Sequence, residues 1–318
     1  MKRVIILLFS ILAVAGLAIA QQEMMPGGMQ SGMMEQSGPS PQISATFQQA
    51  NQWLQQHNLS ITQTPEQAFI NDYILVAAEG LPSPTARIQA QRRLTAERAA
   101  TALAYRQLAE ILEGVAVVGD TLVRDAELQY DVVRTAVTGF VKGAQIVYKE
   151  WNPQEEVALV IVKVGMSGPK GFGSIMYEKI MGDPNVKRDV LKPEPAFKAK
   201  PVPLEENYDG LIIDATEVNF RPALINRIFT PKGDILYDPS KVSQKVLVEQ
   251  GCGEYTNSIE KAKAALEKRG VKNPLIVKAT GTVTTSDLQV SDEDAVRIYS
   301  ANQRANFFAS AKVAFVLR

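Results

Sequence analysis

The sequence predicts an α+β protein of two small domains, each a mostly antiparallel sheet with helices on one face, joined by a Pro/Lys-rich linker. Three observations lead there. The 318 residues exceed one ordinary core and favour two domains of roughly 100 to 150 residues each. Apolar residues at 46% and charged residues at 21% are the proportions of chains that bury a normal core. Short β-rich runs alternate with helix-period segments on both sides of residues 167–206, a stretch holding six of the seventeen prolines.

Residues 1–20 come first and read as a cleavable secretory leader. Basic Lys2 and Arg3 precede an apolar run from Val4 to Leu17, and Ala18-Ile19-Ala20 offers the small residues a signal peptidase accepts. Gln21 stands where a lipoprotein would need Cys, so no lipid anchor is expected by that route, and no transmembrane segment after leader removal. Residues 21–42 hold Met24, Met25, Met29, Met33 and Met34 among Gln, Gly, Ser and Pro, a composition expected to form a disordered tail. Thioethers suit Cu(I), which keeps copper handling by this tail as an alternative function, although no His or Cys accompanies them.

The first domain is expected at 43–166, as β-α-β-α-β-β after an N-terminal helix at 44–57. Phe47, Ala50, Trp53 and Leu54 share one face of that helix. Ala68 to Ala78 is β-rich and reads as a strand ended by Gly80 and Pro82. A long helix follows from Ser83 to Glu113, with Ser83 as cap, Pro84 in its first turn, and Ala100, Leu103, Ala104, Leu108, Ile111 and Leu112 at helical spacing. Val115 to Val123 reads as a strand, and Leu128, Val132, Val133, Ala136, Val137 and Phe140 mark a second amphipathic helix. Ala144 to Trp151 and Val157 to Val164 form a hairpin around Asn152-Pro153-Gln154-Glu155.

Residues 167–206 read as a linker, in which Lys192 to Pro203 forms a stiff spacer on the order of 35 Å. The second domain is expected at 207–318. Asp209 to Ala215 suits a strand buried on both faces; Ala223 to Phe229 and Ile235 to Tyr237 read as a hairpin, and 242–249 as a further strand. A helix at Ser258 to Arg269, a strand at Leu275 to Thr284, a helix capped by Ser291 with Asp294, and a terminal strand at Ala309 to Leu317 complete it.

Charge and composition exclude several function classes. The 34 basic and 34 acidic residues cancel, and removal of the leader leaves 32 against 34, so no field exists to gather nucleic acid. His57 is the sole histidine and lies near the expected disordered tail, which leaves histidine-based triads and metal sites almost nothing to work with. Gly168-Pro169-Lys170-Gly171-Phe172-Gly173-Ser174 lacks the Gly-Lys-Ser/Thr ending of a phosphate loop. Asp120 with Asp125, Glu205 with Glu206, and Asp292, Glu293 with Asp294 are the candidate acid pairs, and a hydrolase built on them is the remaining enzymatic alternative. Cys252, the only cysteine, excludes an internal disulfide; it reads either as a small residue in a Gly-Cys-Gly turn or as a thiol for intermolecular bonding. The expectation is therefore no enzyme, with no catalytic, cofactor-binding or metal residues and no cofactor.

The helix AERAATALAYRQLAEILEGV (Ala96 to Val115), Val133-Arg134-Thr135, the run Thr138 to Ala144 with Val147, and Val157 to Val164 resemble the bacterial envelope family that includes the lipoprotein-twenty type and the FlgP- and FlgT-type flagellar proteins. Tyr208 to Tyr237 is similar in pattern to a segment of longer envelope proteins. The resemblance implies a non-catalytic periplasmic or outer-membrane-associated protein, in some relatives part of the flagellar motor. Its expected partners are envelope proteins, with a second copy of the chain as one option.

Overall fold

The computed structural model describes residues 43–44, 46–190 and 195–318. The expected leader (1–20) and methionine-rich tail (21–42) lie outside them. Helix α1 (Gln48–Gln56) lays Ala50 and Leu54, with Phe47 before it, over Leu75, Leu159 and Ile161 on one face of a sheet. Helix α2 (Pro65–Asn71) starts at Thr64, whose hydroxyl accepts from the Gln67 N–H, and carries Pro at its first turn. This helix occupies the start of the expected strand at 68–78. Asp72, at φ 60°, ends it and turns the chain into β1 (Tyr73–Gly80).

Helix α3 (Gln89–Glu113) buries Ala96, Ala100, Ala104, Leu108 and Leu112 in one stripe. The alanines serve close approach: a Cβ at Gly80 would collide with the backbone of Ala96 and Ala100. The expected cap at Ser83 does not form, because Ser83 precedes a turn and its N–H donates to the Thr95 hydroxyl at 3.0 Å. Next come β2 (Ala116–Val118), β3 (Thr121–Leu122), α4 (Val123–Gln129) and α5 (Asp131–Lys142). Tyr130, at φ −132° and ψ 110°, separates α4 from α5 where one amphipathic helix was expected. The hairpin β4 (Gln145–Asn152) and β5 (Val157–Gly165) forms as expected, giving the antiparallel order β1-β5-β4.

The expected linker holds folded structure. Helix α6 (Phe172–Gly182) buries Phe172, Met176, Tyr177 and Ile180, and α7 (Pro184–Val190) follows. Its apolar residues recur at helical spacing, a pattern that flanking Gly and Pro outweigh in a composition-based reading. The described part of the expected spacer docks rather than spans. The Phe197 N–H donates to Ile235 O at 2.8 Å, the Ile235 N–H to Pro195 O at 2.7 Å, and the Val202 N–H to the Ser300 hydroxyl at 2.9 Å.

The remaining elements are β6 (Gly210–Asp214), β7 (Ala223–Ile225), β8 (Arg227–Phe229), β9 (Ile235–Tyr237), α8 (Gln244–Gln250), β10 (Glu254–Thr256), α9 (Ile259–Lys268), β11 (Pro274–Lys278), β12 (Gly281–Thr284), β13 (Asp287–Gln289), α10 (Asp292–Ala305) and β14 (Val313–Val316). Helix α8 replaces the strand expected at 242–249, a short apolar run whose periodicity does not separate the two states.

The expectation of mostly antiparallel sheets is corrected here. The sheet β10-β14-β6-β11 is parallel at every pairing, with Leu211 opposite both Val313 and Leu275. Its central strand β6 shows why. Leu211 and Ile213 face the main core, while Ile212 faces Ala262, Leu266 and Val316 on the other side, so both faces are covered as parallel sheets require. The sheet β12-β13-β8-β9 is mixed, parallel only between β13 and β8.

A fourth sheet, β3-β2-β7, joins the two sequence halves, pairing Ala116 with Ala223 and Val118 with Ile225 in parallel. The main core crosses the same boundary, drawing on Val76, Leu108 and Val160 from one half and Leu224, Tyr237 and Phe315 from the other. Residues 40–318 accordingly form one compact unit.

Candidate functional site

Two concavities flank the loop 165–171, and their chemistry differs. The smaller, about 360 Å³, lies between α2, α6 and the segment 248–255. Asp72 builds one wall: its carboxylate accepts from the Ser167 N–H at 3.0 Å and the Ser167 hydroxyl at 2.6 Å, and its carbonyl accepts from the Met166 N–H at 3.1 Å. Burial pushes the Asp72 carboxyl above the ordinary aspartate value, opposed by the Ser167 hydroxyl, reinforced by nearby Glu254 and opposed again by Arg269. Arg269 donates to Glu254 at 2.7 Å, to Ala311 O at 2.8 Å and to Gln250 O at 2.9 Å.

Behind this wall, tyrosine hydroxyls satisfy backbone carbonyls. Tyr237 donates to Cys252 O at 2.5 Å, Tyr255 donates to Ala223 O at 2.6 Å and to the Asn226 side chain, and Tyr177 donates to Leu224 O. Cys252 is buried among them, and burial pushes its thiol up to about 12. A thiol so buried and protonated is inert, which favours the turn reading over the reactive one.

The larger concavity, about 1240 Å³, is a groove between α5, the end of β5 and α6. Val132, Ala136, Phe140, Val164 and Ile175 contribute its apolar lining, and Asp131, Lys163, Lys170 and Lys179 are its charged residues. Asp131 is paired with Arg134, and the Lys163 ammonium sits 4.6 Å from the centre of the Tyr73 ring. Lys179 lies 3.7 Å from Glu178, and Lys170 has no ion-pair partner among the described residues. A Cβ built at Gly139 or Gly168 meets nothing within 4 Å, so both glycines open onto free space.

The candidate acids are dispersed and used by the backbone. Asp120 accepts from the Thr285 N–H at 3.0 Å and its hydroxyl at 2.8 Å, which lowers its carboxyl from the ordinary value. Asp125 accepts from the Leu122 N–H at 3.0 Å at the start of α4. Glu206 accepts from the Asn273 amide at 2.7 Å, and Glu205 lies on the exposed strap beside it. Asp292, Glu293 and Asp294 form the first turn of α10, where the Asp294 N–H donates to the Ser291 hydroxyl at 3.0 Å. His57 caps α1, its ring nitrogen 2.8 Å from Trp53 O. Gly168 to Ser174 runs from the loop into α6, where the Ser174 hydroxyl donates to Gly168 O at 2.5 Å and to Val248 O.

Sequence reasoning missed the groove. Its signals were present in the apolar face of 128–140 and the helical spacing of Phe172 to Met181, but their apposition is tertiary. Among the described residues no group of three His, Cys, Asp or Glu is placed to hold a metal, and no helix is long and apolar enough to cross a membrane.

Residues 210–318 match a family model described as the second domain of Tp0624 from Treponema pallidum. The match opens at the first residue of β6 and ends beyond β14, so it spans the parallel sheet and excludes the groove. No curated protein matches the chain.

Proposed function

We propose that this chain is a non-enzymatic protein of the bacterial cell envelope that acts by binding other proteins in a structural or assembly role. The groove between α5 and α6 is the observation that carries this reading. Its lining is largely aliphatic and aromatic, its acid is paired with Arg134, and its cations point to recognition of a surface rather than to proton transfer. The interior supports the same reading, since every buried side-chain nitrogen and oxygen among the described residues has a hydrogen-bond partner within the chain. The export reading rests on residues 1–20, and the envelope assignment on the resemblance across 96–166, which also makes an association with the flagellum or outer membrane one form of the role.

A photo-crosslinker at Thr135, an exposed residue lining the groove, tests the proposal in intact cells. Specific adducts with envelope proteins are expected. A chain found in the cytosol, or one giving no adduct from this position, overturns it.

A further inference from the structure

Leu128 is 84% exposed, the most exposed large apolar side chain among the described residues. In a continuous helix it would share the face of Val132, four residues on, and be buried. The break at Tyr130 turns it out instead, leaving an aliphatic knob with no internal partner. Asp125 and Glu127 flank the knob on α4. Three residues beyond it, Asp131 already lines the groove.

We infer that a second copy of this chain is the occupant of the groove, with Leu128 of each copy seated in the other's groove. This rests on the protein-binding reading of that same groove and names its partner. Charge favours the pairing: the knob brings carboxylates at Asp125 and Glu127, and the groove offers Lys170 and Lys179. Asp125 also has Arg124 at 3.7 Å and Lys179 has Glu178 at 3.7 Å, whereas the one cation near Glu127, Arg134, is already paired with Asp131, so the charges left to meet across the contact are Glu127 and Lys170. Space favours it as well, because the open surface over Gly139 and Gly168 admits a branched side chain without moving backbone. A chain cannot fill its own groove with this knob, since α4 passes into α5 through Tyr130 alone. A two-fold axis places both knobs at once, and a contact of that symmetry closes as a dimer rather than extending into a filament.

Sedimentation equilibrium on the purified chain, up to about 100 µM, reads the outcome. A monomer–dimer equilibrium is expected, weakened at least about 100-fold by Leu128→Asp, because the two-fold contact loses two buried leucines. Thr135→Trp, which fills the groove from an exposed position, should weaken it too. Lys170→Glu should weaken it alone and recover when combined with Glu127→Lys. Unchanged circular dichroism and thermal midpoint in Leu128→Asp separate lost contact from lost fold. A wild-type chain that stays monomeric, or a Leu128→Asp chain that dimerises like wild type, overturns the inference. Should the wild type be monomeric while Thr135 still crosslinks to envelope proteins, self-association falls and the protein-binding reading stands. Dimers sensitive to Leu128→Asp without other adducts support the inference and count against hetero-partners.

Discussion

The smaller, polar concavity and the α5–α6 groove flank one loop and differ in their chemistry. Around the smaller one, ionisable and hydroxyl groups are spent on the chain's own backbone: Asp72 on Ser167, Tyr255 on Ala223, Arg269 on Gln250 and Ala311. In the groove, apolar side chains line a volume of about 1240 Å³ that none of the described residues fills. Residues that suggest chemistry by type are here held by the chain's own hydrogen bonds, and residues of bland type line the open groove.

Three measurements can break or sharpen that contrast, and the largest effect is expected at Asp287. This carboxylate is fully buried, accepts from Arg227 at 2.9 and 2.6 Å and from the Thr284 hydroxyl at 2.7 Å. Asp287→Ala leaves the Arg227 charge without this partner and should cost about 3–5 kcal/mol in urea unfolding. A cost below about 1 kcal/mol would show that the fold does not depend on this buried polar pair.

Tyr255→Phe should cost less, about 1–3 kcal/mol, since it removes the hydroxyl donor from the buried Ala223 O and leaves Asn226 Oδ1 only the Ala223 N–H. An unchanged unfolding midpoint would mean that these acceptors find other donors.

The smallest effect concerns pH. Asp72 has its carboxyl raised in the folded state, so its contribution to stability is present below the unfolded value and is lost as pH rises through the folded one. Asp120, lowered by Thr285, contributes above the unfolded value and loses that contribution as pH falls through the folded one. Urea unfolding across the acid range should therefore shift in opposite senses for Asp72→Asn and Asp120→Asn. Shifts of the same sign would show that burial does not govern Asp72.

Local pattern made several elements legible. The stripe Ala100 to Leu112 identified α3, β-rich runs around Asn152-Pro153 identified the β4–β5 hairpin, and Ser291 with Asp294 identified the start of α10. The doubly buried run in β6 was also read from sequence, yet its parallel direction was not drawn from it, although covered faces are the condition for parallel pairing. Composition misled at 167–206, where prolines and glycines bracket the buried face of α6. Of the groove, Phe140 and Ala136 were recognised as one helix face, but not that this face would be left partly open.

The sequence by itself determined helix α3, the β4–β5 hairpin and the start of α10, because those choices rest on contacts three or four residues apart and on turn chemistry. Tertiary structure alone decided that β2 pairs with β7, that the prolines dock against β9 and α10, and that Leu128 faces out while its helical neighbours face in. The reason is physical: periodicity specifies which side of an element is apolar, whereas the partner that covers it is chosen by packing among segments far apart in the sequence.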